Sequence, residues 1–406
     1  MGEGKQYIRF STAGSLLPKE EMLEIAIKKN SLSIGIPCER SKNENRIGLV
    51  PESIKPLVDN GHRVLVETSA GLKSNFADYE YAESGAEITN DRDQVFAADI
   101  VLKIAPPGLD EIELLQKNHT LISTVQFTTR ERAYFEALIA KRVIALAMEG
   151  IQDKTGALPL KKSMSEIIGN ASIMIAAEYL SSSEYGKGIM LGGFPGVAPT
   201  EVVIIGAGTV AEYAARAAIG MGCLVKVYDN SMYKLRSLQA SLGSRIYTSI
   251  LQPHLIEKAL LTADVVIGAK HTSDHITPCL ISDEMIKKMK SGSVIIDVSI
   301  DQGGCFETSR TTTHQDPVYK LYDVTHYCVP NIASRVPRTA SYSLSNFFAP
   351  LLLRIGEMGG VENMLKMDRA LSKGVYAFNG KITNQQISTT FGLPFQHLDL
   401  LMAAFY

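Results

Sequence analysis

The chain has 406 residues with a formal net charge of −2, and 45% of its residues are hydrophobic. This length can build two domains of ordinary size, and so small a charge gives no electrostatic reason to expect a nucleic-acid or membrane partner. The five cysteines show neither CxxC nor Cys/His metal spacing, so we expect no metal site. Together with an N-terminus that lacks an apolar signal-peptide core, they predict a cytoplasmic protein.

Residues 1–30 form a leader whose segment LPKEEMLEIAIKKN has the pattern of an amphipathic helix. After this leader, short runs rich in Val, Ile and Leu alternate with helical patterns. The predicted strands of this first series are SIGIP, HRVLVET, DIVLKI, TLISTV and VIALAM, and the predicted helices are PESIKPLVDNG, DEIELLQKN and TRERAYFEALIAKR. Nearly continuous apolar strands separated by helices are typical of a parallel sheet that is covered on both faces.

A second alternating series follows a long helical pattern, MSEIIGNASIMIAAEYLSSSE, and a loop rich in Gly and Pro. Its predicted strands are VVIIGAG, LVKVYD, SRIYT, DVVIGA and SVIIDVS, and a second long helix, TASYSLSNFFAPLLLRIGEMGG, follows them. Near the C-terminus, Asn379-Gly380 between alternating segments predicts a type I′ hairpin. This order predicts an α/β fold of two Rossmann-like doubly wound domains, linked by long helices with a cleft between them. Residues 171–332 would form the nucleotide-binding domain, and residues 1–170 with 333–406 the substrate domain.

The segment VVIIGAGTVAEYAARAAIGMGCLVKVYDN has the pattern of a dinucleotide-binding unit, with a strand, a Gly-x-Gly-x-x-Ala turn, a helix and a second strand. Gly206 permits the tight turn, Gly208 lets the backbone approach a pyrophosphate, and the small Ala211 allows close packing of helix on strand. Asp229 follows Gly208 by 21 residues, where a carboxylate meets the ribose 2′-hydroxyl and repels a 2′-phosphate. NAD is therefore the predicted cofactor.

Two positively charged residues bear on how strongly the protein prefers NAD to NADP. Lys234 and Arg236 lie on the helix that follows Asp229 in the predicted order. They either soften the preference for NAD or are solvated surface charges, and the second reading is the more common one.

A carboxylate also follows the last strand of the second series, in SVIIDVSIDQGGCFETSR. Asp297 falls within the strand and Asp301 lies just past it. Gly303 and Gly304 come next, and they would let the backbone approach a flat ligand such as a nicotinamide ring. Asp301 is either a catalytic carboxylate or an ordinary turn residue, and its spacing alone does not separate these two readings.

Five segments give the sequence a family resemblance that extends from about Ser33 to nearly the end of the chain. They are GIPCERSKNENRIGLVPES, TGALPLKKSMSEIIG, GGFPGVAPTEVVIIGAGT, IDQGGCFETSRTTTHQDPVY and YCVPNIASRVPRTASYSLSN. These motifs resemble those of the alanine dehydrogenases, a family that shares its fold with the NAD(H)-binding subunit of proton-translocating transhydrogenase. The IDQGGCFE segment favours the alanine dehydrogenase branch.

The resemblance implies a reversible reaction in which NAD oxidises L-alanine to an imine, and water then releases pyruvate and ammonium. It implies that Arg46 grips the substrate carboxylate, that Asp301 acts in catalysis, and that Asn331 contacts the cofactor. It also implies a homo-oligomer, either a hexamer or a dimer built on the long helices.

Two positions depart from the family pattern. The family carries a lysine where this chain has Ala105, and a catalytic histidine where it has Gln126. Glutamine cannot titrate, and general acid/base catalysis typically supplies about 10²–10⁴-fold, so its loss could raise the barrier by roughly 3 to 5 kcal/mol. His271 and His275 follow a strand toward the cleft, but solvated loop histidines are the more common case.

Two hypotheses follow from these departures. In the first, the protein is an alanine dehydrogenase-type enzyme with an altered substrate pocket, which either turns over slowly or acts on a related amino acid. In the second, it is a catalytically impaired NAD-binding or sensing protein that keeps the nucleotide site and has lost proton chemistry.

Overall fold

The computed structural model describes residues 31–270 and 279–403. The predicted helical leader, together with His271 and His275, lies outside these residues. The strands are β1 (Ser33–Ile36), β2 (Arg63–Glu67), β3 (Glu87–Thr89), β4 (Ile100–Leu102), β5 (Thr120–Ser123), β6 (Ile144–Ala147), β7 (Glu201–Ile205), β8 (Leu224–Tyr228), β9 (Tyr247–Ser249), β10 (Val265–Gly268), β11 (Val294–Asp297), β12 (Val318–Leu321), β13 (Val324–Tyr327), β14 (Val375–Phe378) and β15 (Lys381–Ile382).

Helices separate most of these strands, as the alternating pattern predicts. They are α1 (Pro51–Asp59), α2 (Asp78–Glu83), α3 (Arg92–Phe96), α4 (Leu109–Leu114), α5 (Arg132–Lys141), α6 (Pro159–Ser181), α7 (Thr209–Gly220), α8 (Met232–Leu242), α9 (Pro253–Leu260), α10 (Asp283–Ile286), α11 (Pro337–Glu357), α12 (Val361–Met367), α13 (Arg369–Ser372), α14 (Gln385–Phe391) and α15 (Leu398–Ala403). Within the two described ranges, none of the helices has the length and apolarity needed to cross a bilayer.

The strands form two sheets, which confirms the predicted fold class. The first sheet has the order β15-β14-β6-β5-β4-β1-β2-β3, and the second has the order β12-β13-β11-β10-β7-β8-β9. Strands β1 to β6 pair in parallel, and β14 joins them antiparallel to β6. In both sheets the chain builds one half, returns to the centre and builds the other half, as doubly wound folds do.

Each sheet therefore has a switch point, where the loops after two neighbouring strands run in opposite directions. This point lies between β1 and β4 in the first sheet, and between β7 and β10 in the second. Ligands of open α/β sheets bind in the crevice at the carboxyl ends of such strands. The structure thus defines two crevices, and the residues just past β1, β4, β7 and β10 line them.

Successive strand residues pack into different cores, because side chains alternate across a pleated strand. Ile100 and Leu102 of β4 belong to one hydrophobic cluster, while Val101 between them belongs to another on the opposite face. In β7, Val202 and Ile204 likewise separate from Val203 and Ile205. Both sheets are therefore covered on both faces, which explains why their strands are apolar at consecutive positions.

The long helix α6 packs closely on α7 of the second sheet. A Cβ atom at Gly169 of α6 would lie 2.5 Å from the Val210 carbonyl oxygen. The two helices can therefore approach this closely only because glycine has no side chain. Because α6 runs from Pro159 to Ser181, the predicted domain boundary between residues 170 and 171 falls inside this helix. The exact boundaries stay a prediction.

The predicted C-terminal hairpin is confirmed. Strands β14 and β15 pair antiparallel, with Phe378 opposite Lys381. Between them, Asn379 has a φ of 44° and Gly380 a φ of 78°, and positive φ at both central residues defines the type I′ turn. This turn lets the C-terminal part of the chain add two strands to the edge of the first sheet.

The hairpin gives a first prediction. We expect Gly380→Ala to lower the free energy of unfolding by about 1 kcal/mol, because a Cβ at positive φ is strained. Gly380→Asn is the matched control and should lower it less, because asparagine tolerates the left-handed region. Urea denaturation of the three proteins measures both effects, and equal stability of the alanine variant and the wild type would contradict the argument.

Candidate active site

The turn after β7 has the backbone shape that the glycine pattern predicts. Gly206 has a φ of 112°, and a Cβ added there would lie 2.4 Å from the Ala269 carbonyl oxygen after β10. Its amide donates a 2.7 Å hydrogen bond to the Tyr228 carbonyl at the end of β8. The turn is therefore held between the two neighbouring strands, and only glycine fits this position.

The next two residues of the pattern determine how much space there is around the start of α7. Gly208 is the N-cap of the helix, and within the described part of the chain a Cβ at this position would meet nothing within 4 Å. Ala211 is fully buried in the core between helix and sheet. A phosphate can thus approach the amides at the helix start, which carry the positive end of the helix dipole.

Asp229 ends β8 as a buried carboxylate. It accepts hydrogen bonds from the Ala207 amide at 2.9 Å, the Ser231 amide at 2.8 Å and the Lys270 ammonium at 3.2 Å. Burial alone would raise its pKa, but the Ser231 amide, Lys270 and the Ala207 amide outweigh burial and lower the pKa of this carboxyl. Asp229 is therefore ionised and directly joined to the glycine turn, with a cation beside it that the sequence reading had missed.

At the end of β11, Asp297 is buried and Asp301 is exposed in a short 3-10 turn, Ile300–Gln302. Asp297 accepts from the Ser299 amide at 3.1 Å, the Cys305 amide at 3.0 Å and the Ser309 hydroxyl at 2.7 Å. A Cβ at Gly304 would lie 2.6 Å from its Oδ2 atom. Asp297 thus fixes the shape of the loop, and Asp301 at its tip meets solvent.

Arg46 lies in the loop after β1 and is buried, so it is not an ordinary surface arginine. Its Nε and Nη2 atoms hold the Glu44 carboxylate at 2.7 and 2.6 Å, and Nη1 donates to the Met164 sulfur of α6 at 3.5 Å. Burial alone would lower the pKa of Arg46, but the charge and hydrogen bonds of Glu44 outweigh burial and raise this pKa above its usual value. One edge of the guanidinium is therefore occupied by this chain's own carboxylate.

Asn331 connects this loop to the end of the second sheet. Its Nδ2 atom donates to Glu44 Oε2 at 2.9 Å and to the Asn43 carbonyl at 3.1 Å, and Ser334 donates to Glu44 Oε1 at 2.8 Å. The structure thus places the Asn331 side chain on the loop of the first sheet. Its contact with a cofactor stays a prediction.

Gln126 follows β5 in a left-handed conformation, with φ 45° and ψ 48°, which is strained for a residue other than glycine. Its side chain is exposed. Glu149, just past the neighbouring strand β6, accepts from the Val125 amide at 2.9 Å and from the Gln126 amide at 3.4 Å through Oε1. A carboxylate therefore holds the turn that carries the amide.

The other oxygen of Glu149, Oε2, is shielded from solvent and has no hydrogen-bond partner among the residues described. Burial raises the pKa of Glu149 despite the amide hydrogen bonds from Val125 and Gln126. A carboxyl group that can hold a proton thus lies directly behind the position where Gln126 stands.

Lys103, the cation nearest in sequence to Ala105, is buried and donates to Glu39 Oε2 at 2.5 Å. Glu39 Oε1 also accepts from the Ile104 amide at 2.5 Å. Burial raises the pKa of Glu39 above its usual value, although the positive charge of Lys103 acts to lower it. Lys103 is therefore committed to this internal pair. A different lysine, Lys161 of α6, is exposed and lies within electrostatic range of both Asp301 and Glu149.

Four residues of the site were not found by the sequence reading, namely Glu44, Glu149, Lys161 and Lys270. Glu149 and Lys270 directly follow strands, as Gln126 does, so the rule that ligands meet carboxyl ends could have identified them. Glu44 and Lys161 carried no such signal, because neither follows a strand directly, and the contacts of Glu44 with Asn331 and Ser334 need the tertiary fold. Within residues 31–270 and 279–403, no group of three or more His, Cys, Asp or Glu side chains is arranged to hold a metal ion.

The fold and the site define a two-domain protein of the dinucleotide-binding class, and comparisons with known proteins give its family. Models of the alanine dehydrogenase/PNT N-terminal and C-terminal domains match residues 35–168 and 172–385. The alanine dehydrogenase of Mycolicibacterium smegmatis is 38% identical over 363 residues, which cover 89% of this chain and 97% of that protein. This chain therefore belongs to the alanine dehydrogenase/PNT family, and the resemblance read from the motifs is confirmed.

Solved structures give the same result. An L-alanine dehydrogenase matches with a TM-score of 0.83 at 34% identity, covering 89% of this chain and 99% of its own. A transhydrogenase from Sinorhizobium meliloti matches with a TM-score of 0.74 at 22% identity, covering 87% and 99%. The second likeness shows a shared fold alone.

The Asp297 carboxyl gives a prediction on stability. Burial raises its pKa from 3.8 to about 6, so between these values the folded state holds a proton that the unfolded state has released. Stability from this group is therefore present below about pH 4 and is lost as the pH rises through about 6.

We expect the wild type to lose about 2 kcal/mol more unfolding free energy than Asp297→Asn when the pH is raised from 4.5 to 7, because the variant lacks this titration. Urea denaturation of both proteins at the two pH values measures the difference. Parallel pH profiles would show that Asp297 has an ordinary pKa in the folded protein.

Proposed function

We propose that this protein is an NAD-dependent amino-acid dehydrogenase that converts L-alanine, NAD⁺ and water to pyruvate, ammonium, NADH and a proton. The observation that carries the proposal is the meeting of two edges. The glycine turn with Asp229 and the loop of Asp301 come from the second sheet, and Arg46 and Gln126 come from the first. The names of the relatives support the same reaction for members of this family.

The residues present fit a dinucleotide. Gly206, Gly208 and Ala211 would seat the pyrophosphate at the start of α7, because a Cβ at Gly208 points into open space among the described residues. Asp229 would accept from the adenosine ribose hydroxyls. When bound, the nicotinamide accepts or donates the hydride.

We infer a preference for NAD over NADP from the ionised Asp229, which repels a 2′-phosphate. Lys270 contacts this carboxylate and reduces the repulsion without removing it. Lys234 and Arg236 are exposed on α8, as solvated surface charges are.

The substrate carboxylate would bind to the N–H groups of Arg46 that Glu44 does not occupy. Asp301, as an exposed carboxylate, would take the proton from the attacking water or the amine. Gln126 would donate a hydrogen bond to the substrate oxygen, which stabilises charge without moving a proton. The absence of a titrating side chain at 126 predicts slow turnover compared with an enzyme that has one.

A second function is favoured by one specific observation, the combination of Gln126 and Ala105. Together they remove a titrating group and a cation from a pocket that otherwise keeps its nucleotide turn. In this alternative the protein binds or senses NAD(H) without turnover.

We also infer that the protein acts in the cytoplasm as a homo-oligomer, either a hexamer or a dimer, with small amino acids and 2-oxo acids as its ligands. Light scattering coupled to size-exclusion chromatography measures the assembly, and a monomer at micromolar concentration would contradict it.

Activity tests the proposal directly. We expect NADH formation with L-alanine or a related small amino acid, and NADH consumption with a 2-oxo acid and ammonium. Gln126→His should raise kcat by roughly 10-fold or more, because it restores a group that titrates near neutral pH. Absence of turnover across a panel of amino acids, with NADH binding intact by calorimetry, would support the sensing alternative.

The cofactor preference gives another prediction. Asp229→Asn should raise the KM for NAD⁺ by about 10-fold, because the variant removes a charged acceptor. It should also lower the ratio of kcat/KM with NAD⁺ to kcat/KM with NADP⁺. Lys234→Met on α8 is the control and should change neither value by more than about twofold. If this ratio of kcat/KM values is unchanged in the Asp229 variant, the ribose does not bind at Asp229.

A further inference from the structure

Lys270 follows β10, one of the two strands at the switch point of the second sheet. Its backbone packs against the glycine turn after β7, since a Cβ at Gly206 would lie 3.1 Å from the Lys270 amide nitrogen. Its carbonyl accepts a 2.7 Å hydrogen bond from the Ser299 hydroxyl after β11. The backbone of Lys270 is therefore anchored in the nucleotide crevice, while its flexible four-carbon stem can carry the ammonium to more than one place.

The ammonium contacts Asp229, whose existing hydrogen bonds limit what else this carboxylate can accept. An ionised carboxylate accepts about four hydrogen bonds. Among the described residues, Asp229 accepts one from the Ala207 amide at 2.9 Å, one from the Ser231 amide at 2.8 Å and one from the Lys270 ammonium at 3.2 Å. The two hydroxyls of an adenosine ribose need two more. Both can therefore bind only if one of these three donors leaves.

Two of the three donors are fixed by the fold. Ala207 belongs to the glycine turn, and Ser231 is the N-cap of α8, where its hydroxyl accepts from the Lys234 amide at 3.3 Å. Lys270 instead donates from the end of a flexible side chain. That side chain is 14% exposed, against 2% for Asp229. Lys270 is therefore the donor that can leave the carboxylate.

The start of α7 is the place to which the ammonium can move. Ala207, whose amide binds one oxygen of Asp229 while Lys270 binds the other, directly precedes Gly208, the N-cap of this 12-residue helix. A Cβ at Gly208 would meet nothing within 4 Å in the described part of the chain, so a diphosphate has room there. Lysine binds phosphate as a mobile point charge, beside the amides that the helix start supplies.

We propose that Lys270 binds the diphosphate of the dinucleotide, and that it exchanges Asp229 for this diphosphate when the ribose binds to the carboxylate. The inference rests on the proposed function and deepens it, because it assigns the cofactor a cation beside the glycine turn. Both charges stay paired through the exchange. Asp229 keeps its two amides and gains two hydroxyl donors, and the ammonium gains phosphate oxygens.

The competing explanation is a purely structural ion pair, and the same sheet offers a matched example of one. The buried Asp264 lies at the opposite end of β10, where it pairs with Lys187 at 2.8 Å and with Lys290 at 3.0 Å. The side chains of Lys187 and Lys270 have similar exposed fractions, 19% and 14%. Ligands meet the carboxyl ends of such strands. Lys187→Met therefore removes the same charge from a similar pair away from the crevice.

Calorimetry with adenosine diphosphate (ADP) and with adenosine tests the proposal, because only ADP carries the diphosphate. We expect Lys270→Met to weaken ADP binding by about 10-fold or more, as loss of a charge-assisted hydrogen bond does. Adenosine binding should not weaken, since a competitor for Asp229 is removed. Lys270→Arg should recover most of the ADP affinity, and Lys187→Met should change either affinity by less than about twofold. If Lys270→Met changes both affinities by the same factor, the proposal is wrong.

A double-mutant cycle tests the change of partner. In the Asp229→Asn background the ammonium has no carboxylate at position 229 to leave. Lys270→Met should therefore weaken ADP binding by a larger factor in this background than in the wild type. An equal or smaller factor would overturn the exchange, and no effect at all would show that Lys270 acts only by orienting Asp229.

Binding and turnover together separate this inference from the proposed function. If the wild type binds NADH and ADP but oxidises no amino acid, the dehydrogenase proposal fails, and the ADP and adenosine titrations still decide the role of Lys270. If the wild type oxidises L-alanine while Lys270→Met binds NADH and ADP as tightly as the wild type, the proposed function stands and this inference is wrong. A wild type that binds neither NADH nor ADP would contradict both.

Discussion

The cleft depends on one buried carboxylate, Glu44. Its two oxygens receive the Arg46 guanidinium at 2.7 and 2.6 Å, the Ser334 hydroxyl at 2.8 Å and the Asn331 amide at 2.9 Å. Arg46 and these hydrogen bonds overcome burial and lower the pKa of Glu44. Because Arg46 belongs to the first sheet's loop while Asn331 and Ser334 follow the second sheet, this carboxylate brings the two edges together. Removal of one partner would leave a buried charge uncompensated, which typically costs about 3–5 kcal/mol.

Two turns of the candidate site each carry a left-handed residue that a carboxylate contacts. Gln126 and Asn331 both adopt left-handed backbone conformations, with φ of 45° and 61°. Strain of this kind persists only where the surroundings determine the conformation. For Gln126 those surroundings include Glu149, which binds its amide, and for Asn331 they include Glu44, which binds its side chain. In each case a carboxylate therefore helps to fix the turn.

Local patterns were enough to predict the nucleotide unit and the hairpin. The turn from Gly206 to Ala211 has a local signal, since its glycine spacing, the helix and the second strand all lie within one βαβ unit. Asn379 and Gly380 likewise define their turn alone. The ion pair of Lys103 could not be predicted from the sequence, because Glu39 and Lys103 lie 64 residues apart and meet only when β1 and β4 become neighbours. Asn331 was assigned to the cofactor on resemblance, and its contact with Glu44 required the tertiary fold.

The charges of the pocket explain how an amide at position 126 can be tolerated. Arg46 is paired with Glu44 and Lys103 with Glu39, whereas Glu149 keeps a buried oxygen without a hydrogen bond among the described residues. A negative pocket would repel an anionic 2-oxo acid, and burial counters this because it raises the pKa of Glu149 and favours its neutral form. The Glu149 carboxyl lies next to the turn of Gln126, since its Oε1 atom accepts from the Gln126 amide. A titrating side chain at 126 would add a second proton site at the same place, whereas glutamine leaves the Glu149 carboxyl as the titratable group that contacts this turn.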